Sequence, residues 1–251
     1  APLQSRSATV SEPTLGRPVS IEVDGAHPVS ALLQAPRNAS ACFVVAHGAG
    51  AGMEHPFMAA VADGLCARGV ATLRYQFPYM QAGSKRPDRP PLAHATVRAA
   101  VHKALELVPA LPLFAGGKSF GARMASQAQA DRPLPGLRGL AFLGFPLHPA
   151  KKPSAERAEH LARVDVPMLF LQGTRDALAE MPLLTATVRQ LGALATLVPL
   201  GQADHSFHVP AKSGRSDGQV LDEALDAMVA WMDGVLRRRT PAQAGPARRA
   251  V

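Results

Sequence analysis

Ser119 stands in Gly117-Lys118-Ser119-Phe120-Gly121, a G-x-S-x-G pentapeptide. The apolar run Leu111–Ala115 leads into it, and a helix-forming run, Ala122–Ala130, leaves it. A serine at a sharp strand-to-helix turn has its hydroxyl lifted to the edge of the sheet, facing a helix N-terminus. The two glycines answer the crowding of such a turn, where a Cβ would strike neighbouring chain. The chemistry this suits is attack on a carbonyl carbon. A hydroxyl is a poor nucleophile at neutral pH, so an imidazole must take its proton and return it to the leaving group. A carboxylate must in turn hold the imidazole in one tautomer and stabilise its transient charge.

Both partners occur further along the chain. Asp176 closes Gly173-Thr174-Arg175-Asp176, just after the apolar run Val166–Gln172. His205 lies in Gly201-Gln202-Ala203-Asp204-His205-Ser206-Phe207-His208, just after Ala195–Leu200. Each follows a strand, which places all three groups at one sheet edge in the order Ser, Asp, His. An aspartate after a strand also suits a helix cap. Asp165 precedes its strand and belongs to the opposite edge. Asp204 adjoins His205 and is expected to point elsewhere, and His208 is the alternative base. His27, His94, His102 and His160 fall in expected helices or turns and read as solvent-facing.

Attack on a carbonyl also needs donors for the oxygen that becomes negative. The N–H of Phe120, next after the serine, is one. The loop His47-Gly48-Ala49-Gly50-Ala51-Gly52-Met53 offers the second, with Ala49 preferred and Gly48 and Gly50 as alternatives. His47 reads as a structural residue that bonds within this loop, with direct substrate contact as the alternative. Lys118 either braces the turn through a carboxylate or sits near the substrate. Phe77, Pro78, Tyr79, Met80, Phe145, Pro146 and Leu147 are candidates for the walls of a cleft, and equally for plain core or rim.

The elements that must position these groups follow from hydrophobic pattern. Val19–Val23 and Pro28–Gln34, split by Asp24-Gly25, read as an antiparallel hairpin. Strands are then expected at Cys42–Ala46, Val70–Tyr75, Leu111–Ala115, Gly139–Phe145, Val166–Gln172 and Ala195–Leu200. Helices are expected over about 54–68, 92–108, 178–191 and 219–238, besides the one after Ser119. Gln76–Pro91 reads as a long loop whose Gly83–Pro91 core excludes regular structure. Alternation of strands and helices implies an α/β fold with a mostly parallel sheet and helices on both faces. Ligands gather at the carboxyl ends of such strands.

The chain has 251 residues and a net charge of +8. Arg237, Arg238, Arg239, Arg248 and Arg249 carry five of those charges, which leaves +3 for the rest. Residues 1–16 read as a flexible lead-in and 239–251 as a disordered basic tail. No aromatic residues interleave those arginines, so no specific nucleic-acid contact is expected. Cys42 and Cys66 read as buried free thiols, with no disulfide or metal framework. No apolar run is long enough to span a bilayer, and no signal-like segment is evident, so a cytoplasmic location is expected. Neither metal nor organic cofactor is called for, and the oligomeric state is unreadable.

These residues together resemble the α/β-hydrolase superfamily over nearly all of 19–238. The marks are His47-Gly48-Ala49-Gly50, the serine turn, Gly173-Thr174-Arg175-Asp176 and Asp204-His205-Ser206-Phe207. Arg74-Tyr75-Gln76-Phe77-Pro78-Tyr79-Met80 and Gly116–Ser126 look like a narrower branch. It holds the homologues of testis-expressed protein 30 and of NSL-complex subunit 3, relatives of the dienelactone hydrolases. The resemblance implies an α/β-hydrolase domain over 17–238, with an eight-stranded, mostly parallel sheet. It implies Ser119 as nucleophile, Asp176 as acid, His205 as base, and Phe120 with Ala49 as oxyanion donors. It also implies a serine hydrolase acting on a small acyl substrate. Dienelactone hydrolases proper use a cysteine where this chain has Ser119. Members of the narrower branch also serve as interaction subunits, so a non-catalytic module is the alternative.

The connection Pro146–Asp165 is too short for a large cap domain, which implies an open cleft. Gly48, Phe77, Tyr79 and Lys118 are its candidate substrate contacts. The Lys85–Arg89 loop would favour acidic substrates if it folded over that cleft. Nucleotide binding is excluded on spacing. A Walker pattern needs glycine where Pro112 stands, and a dinucleotide turn needs one at Met53.

Overall fold

The computed structural model describes residues 16–238. The regions expected to form a lead-in and a basic tail lie, but for Gly16, outside the described residues. Eight strands form one sheet: β1 (Arg17–Ile21), β2 (Val29–Gln34), β3 (Ala41–Ala46), β4 (Val70–Tyr75), β5 (Leu113–Lys118), β6 (Leu137–Leu143), β7 (Met168–Gly173) and β8 (Ala195–Leu200). Their spatial order is β1-β2-β4-β3-β5-β6-β7-β8. β1 and β2 form an antiparallel hairpin, and β2 joins β4 antiparallel. Every other pairing is parallel.

The central strands are apolar throughout because both faces are covered. In β3, Cys42, Val44 and Ala46 face one layer, while Ala41, Phe43 and Val45 face the other. This is the two-residue period of a strand read as two cores. The first layer holds α3 (Pro90–Leu107), α4 (Phe120–Asp131) and α5 (Met181–Leu191). The second holds α1 (Pro56–Ala67) and α6 (Asp217–Arg237). Small residues let α4 lie close to the sheet: Ala122, Ala125 and Ala128 are all buried.

Several expectations need correction. The loop after β4 contains a one-turn helix, α2 (Pro78–Gln81), and α3 begins at Pro90 rather than after the prolines. Proline is well suited to a first helical turn, where its missing N–H would have no intrahelical acceptor anyway. β5 runs on through Gly116 and Gly117 to Lys118. Glycine marks close approach here: a Cβ on Gly116 would lie 1.8 Å from the Ala141 carbonyl oxygen. The connection after β6 contains a 3-10 segment, Glu156–Arg163, and no separate domain. His160, expected in solvent, is buried against Ser126. Cys42 is buried, but Cys66 is only half-buried, since it lies near the end of α1.

Candidate active site

β5 delivers Ser119 at a turn that few residues tolerate. Ser119 has φ 51° and ψ −108°, a region costly for a residue with a Cβ. The turn works because its neighbours lack side chains. A Cβ on Gly117 would come within 2.3 Å of the Ala46 carbonyl oxygen, and one on Gly121 within 2.6 Å of the same atom. α4 therefore starts hard against the end of β3. Phe120 is its first residue, so its N–H has no intrahelical acceptor.

β7 and β8 deliver the other two groups. His205 Nε2 lies 2.8 Å from Ser119 Oγ, and His205 Nδ1 lies 2.6 Å from Asp176 Oδ2. The carboxylate only accepts, so Nδ1 carries the proton and Nε2 is left free to accept from the hydroxyl. Asp176 is buried, and its other oxygen accepts the Leu178 N–H at 2.8 Å. The three residues expected from sequence thus meet in one hydrogen-bonded chain.

The turn carrying His205 is held from within. Asp204 Oδ1 accepts the N–H groups of Ser206 and His208 at 2.7 and 3.0 Å, so its carboxylate faces its own loop. His208 turns outward to Asp217, 2.8 Å away, which raises its pKa. A Cβ on Gly173 would lie 2.4 Å from the Ala203 carbonyl oxygen, so the end of β7 packs directly under this turn.

Lys118 crosses from β5 to the same turn. Its ammonium donates to the His205 carbonyl oxygen. It also lies over the rings of Phe207 and Phe57, at 5.3 and 5.7 Å from their centroids. Burial pulls its pKa down to about 8, against the opposing pull of Asp176 and Asp204. Of the two readings left open for Lys118, the brace is made to a backbone carbonyl on the residue bearing the imidazole rather than to a carboxylate.

The small-residue loop is anchored by groups that its sequence alone did not reveal. Gln76 Oε1 accepts the Met53 N–H at 2.8 Å, and Arg74 donates to the Met53 carbonyl at 3.3 Å. His47 Nδ1 donates to the Gly48 carbonyl at 2.8 Å, and its Nε2 accepts the Phe77 N–H at 3.0 Å. Burial depresses the His47 pKa to about 4, consistent with a neutral structural ring. Ala49 is exposed at the tip of this loop. A Cβ on Gly48 would sit 3.9 Å from Ser119 Cβ, so the loop borders the serine.

The aromatic candidates lie beneath the site. Phe77 has no exposed surface and packs edge-on to Phe120, 5.2 Å between ring centroids. Tyr79 is buried too, with its hydroxyl 3.5 Å from the Gly48 carbonyl. Phe145, Pro146 and Leu147 are buried, while Pro78 and Met80 are half-buried. The Lys85–Arg89 segment is exposed apart from the half-buried Asp88, which accepts the Tyr79 N–H at 3.1 Å.

Sequence reasoning missed Gln172. This buried amide donates to Asp176 Oδ2 at 2.6 Å and accepts the Phe145 N–H at 2.8 Å. Its signal was present: a lone polar residue closing an otherwise apolar strand, four positions before the aspartate.

A second serine–histidine pair, Ser126 with His160 at 2.8 Å, has different chemistry. Ser126 is fully buried, and its hydroxyl donates to the Arg123 carbonyl at 3.0 Å. The imidazole is therefore the donor between the two, the reverse of a base taking a serine proton.

The sequence pattern of the alpha/beta hydrolase domain family matches residues 39–233. The chain is an α/β-hydrolase domain protein. The fold of this α/β hydrolase recurs in solved structures at low identity. A serine hydrolase without a lid from Xanthomonas campestris is 18% identical, with a TM-score of 0.68 over 87% of this chain and 96% of that one. The dienelactone hydrolase from Anabaena variabilis is 22% identical, with a TM-score of 0.68 over 86% of this chain and 97% of its own. An alpha-beta serine hydrolase homologue from Coxiella burnetii is 18% identical, with a TM-score of 0.67 over 90% and 100% of the two chains.

Proposed function

We propose that this α/β hydrolase is a serine esterase that works through a covalent acyl-enzyme. The observation that carries the reading is the chain of two short hydrogen bonds, Ser119 Oγ to His205 Nε2 at 2.8 Å and His205 Nδ1 to Asp176 Oδ2 at 2.6 Å. Ser119 attacks the carbonyl carbon of an ester, thioester or lactone while His205 takes its proton. The N–H groups of Phe120 and Ala49 hold the oxyanion. His205 then gives the proton to the leaving oxygen or sulfur. Water, activated by the same imidazole, releases the acid and restores the serine. Asp176 orients the ring throughout.

Gly48, Phe77 and Tyr79 act in this scheme through the loop that offers Ala49, and Lys118 acts through the carbonyl of His205. Among the described residues no large cap covers the serine, which supports a preference for short acyl chains. The Arg74–Met80 and Gly116–Ser126 stretches support a place in the branch of testis-expressed protein 30. Two thiols free of any disulfide fit a cytoplasmic setting.

A fluorophosphonate probe tests the reading. It should label the wild-type protein and leave Ser119→Ala unlabelled. Hydrolysis of p-nitrophenyl acetate should fall by roughly 10⁴-fold or more in Ser119→Ala and His205→Ala. An unlabelled wild-type protein would favour the non-catalytic interaction module.

A further inference from the structure

Two imidazoles of this α/β hydrolase are anchored in the same way and differ at their far nitrogen. His47 Nδ1 faces the carbonyl of the next residue, Gly48, at 2.8 Å, and His148 Nδ1 faces that of Pro149 at 2.8 Å. A carbonyl only accepts, so each Nδ1 carries a proton. The Nε2 of His47 accepts the Phe77 N–H, which completes the bonding of a neutral ring. The Nε2 of His148 instead meets Glu180 Oε2 at 2.5 Å. With Nδ1 already protonated, a neutral ring would turn a lone pair towards a carboxylate. A hydrogen bond there needs one more proton, shared between ring and carboxylate. As free side chains the imidazole is the stronger base, which puts the proton on His148 and makes the bond charge-assisted. A buried imidazolium is tolerable here because both of its N–H groups have acceptors. The Glu180 side chain is 44% exposed and gives the proton a route to water.

The place of the pair says what it does. His148 lies in the connection after β6, and Glu180 ends the connection from β7 to α5. Leu147 and His148 both donate their N–H groups to the Leu178 carbonyl, at 2.9 and 3.2 Å. The Leu178 N–H in turn donates to Asp176 Oδ1 at 2.8 Å. The pair adds a side-chain tie to the backbone ties that fix Leu178, and Leu178 fixes the carboxylate that orients His205. The surrounding elements carry other charges. Lys151 and Lys152 of the first connection, Arg175 of the second and Arg189 of α5 are exposed. Asp176 is taken by His205, Gln172 and Leu178. The 3-10 segment adds exposed Glu156, Glu159 and Arg163 and half-buried Arg157, and its His160 bonds Ser126.

We propose that His148 and Glu180 are positioning residues for Asp176 that act through one shared proton, whose loss slackens the bond between Asp176 and His205. Without that proton two acceptors face each other, and Glu180 turns to water. This inference rests on the serine-esterase reading, and one of its two measurements needs no turnover.

The first measurement is nitrogen NMR of the imidazole rings in Ser119→Ala. Both His148 nitrogens should carry protons at neutral pH. Adding Glu180→Gln should leave one of them bare, since an amide can donate to a neutral ring. A His148 ring with one bare nitrogen before that change would overturn the inference. As pH rises, the His205 Nδ1 proton, which reports the bond to Asp176, should shift in step with deprotonation of His148. Lys118, with its pKa of about 8, also bears on His205 through its carbonyl, but it does so with or without Glu180→Gln. Only a step that Glu180→Gln removes belongs to the pair, and the absence of such a step would overturn the inference. The second measurement is turnover of p-nitrophenyl acetate. The wild-type kcat should fall about tenfold as His148 loses its proton, with KM unchanged. Glu180→Gln should hold its kcat across that range, and His148→Phe should show the lowered kcat at every pH. Parallel profiles in wild type and Glu180→Gln would mark a bond that serves structure alone, and would overturn the inference while leaving the serine reading standing. A wild type without turnover would overturn the serine reading and leave the ring signals to decide on the pair.

Discussion

At the residue scale, the aspartate–imidazole pair depends on an amide that the motif does not contain. Gln172 bridges the Phe145 N–H and Asp176 Oδ2. In Gln172→Leu, a buried N–H loses its acceptor and the carboxylate loses one of its donors. An unpaired buried group costs about 1–3 kcal/mol, so the urea midpoint should fall. Ester turnover should drop about tenfold with KM unchanged, since the misplaced imidazole matters in the transition state and not for binding. A variant with full kcat would show that Leu178 N–H alone fixes Asp176. Lys118 gives a second test. Its ammonium is held below its ordinary pKa of 10.5, at about 8, by burial. From about pH 8 to 10.5 the unfolded chain keeps this proton and the fold does not, so stability gains with rising pH across that window. The urea midpoint of wild type relative to Lys118→Met should therefore climb over that range, and a flat difference would contradict it. Ser119, Asp176 and His205 were legible in the sequence because each follows a strand in a short patterned stretch. The supports were not. Gln172, Gln76 and the carbonyl partner of Lys118 are pairings between segments far apart in sequence, and residue type alone does not specify a partner.

At the element scale, the site is a consequence of how closely α4 meets β3. Strand existence and order along the chain were readable from apolar runs, and β4 and β8 have the expected bounds. The carboxyl end of β5 was not, because glycine disfavours strand by propensity while tight interstrand packing selects it at Gly116 and Gly117, and β6 begins and ends two residues ahead of expectation. Likewise Pro78 and Pro90 fall in what read as a loop and instead start helices, since proline's effect depends on which end of a helix it meets. Gly121 tests the packing directly. A Cβ there would lie 2.6 Å from the Ala46 oxygen and 2.7 Å from the His47 oxygen, both backbone atoms that have little room to yield. Gly121→Ala should cost about 1–3 kcal/mol as an overpacked site. It should also push α4 off the loop that bears Ala49, so fluorophosphonate labelling should slow more than the melting temperature falls. Labelling at the wild-type rate would mean that the turn tolerates the displacement.

At the scale of the whole molecule, two buried imidazoles lie on the α3 and α4 side of the sheet. His47 bonds the Gly48 carbonyl and the Phe77 N–H, and His160 bonds Ser126. Both are held neutral, with pKa values lowered from 6.5 to about 4, chiefly by burial. Between pH 6.5 and 4 the unfolded chain takes up protons on these rings that the fold refuses, so stability falls as pH falls through that window. A shift of this size is worth on the order of 3 kcal/mol per ring, against a typical total of about 5–15 kcal/mol. Urea midpoints should therefore decline steeply from pH 6.5 towards 4.5, ahead of most carboxylate protonation. His160→Phe removes one ring and leaves the carboxylates in place, so its midpoint should decline over the same range with about half the slope. An unchanged slope would show that His160 charges within the fold, and that Arg123, Arg163 and burial do not hold it neutral.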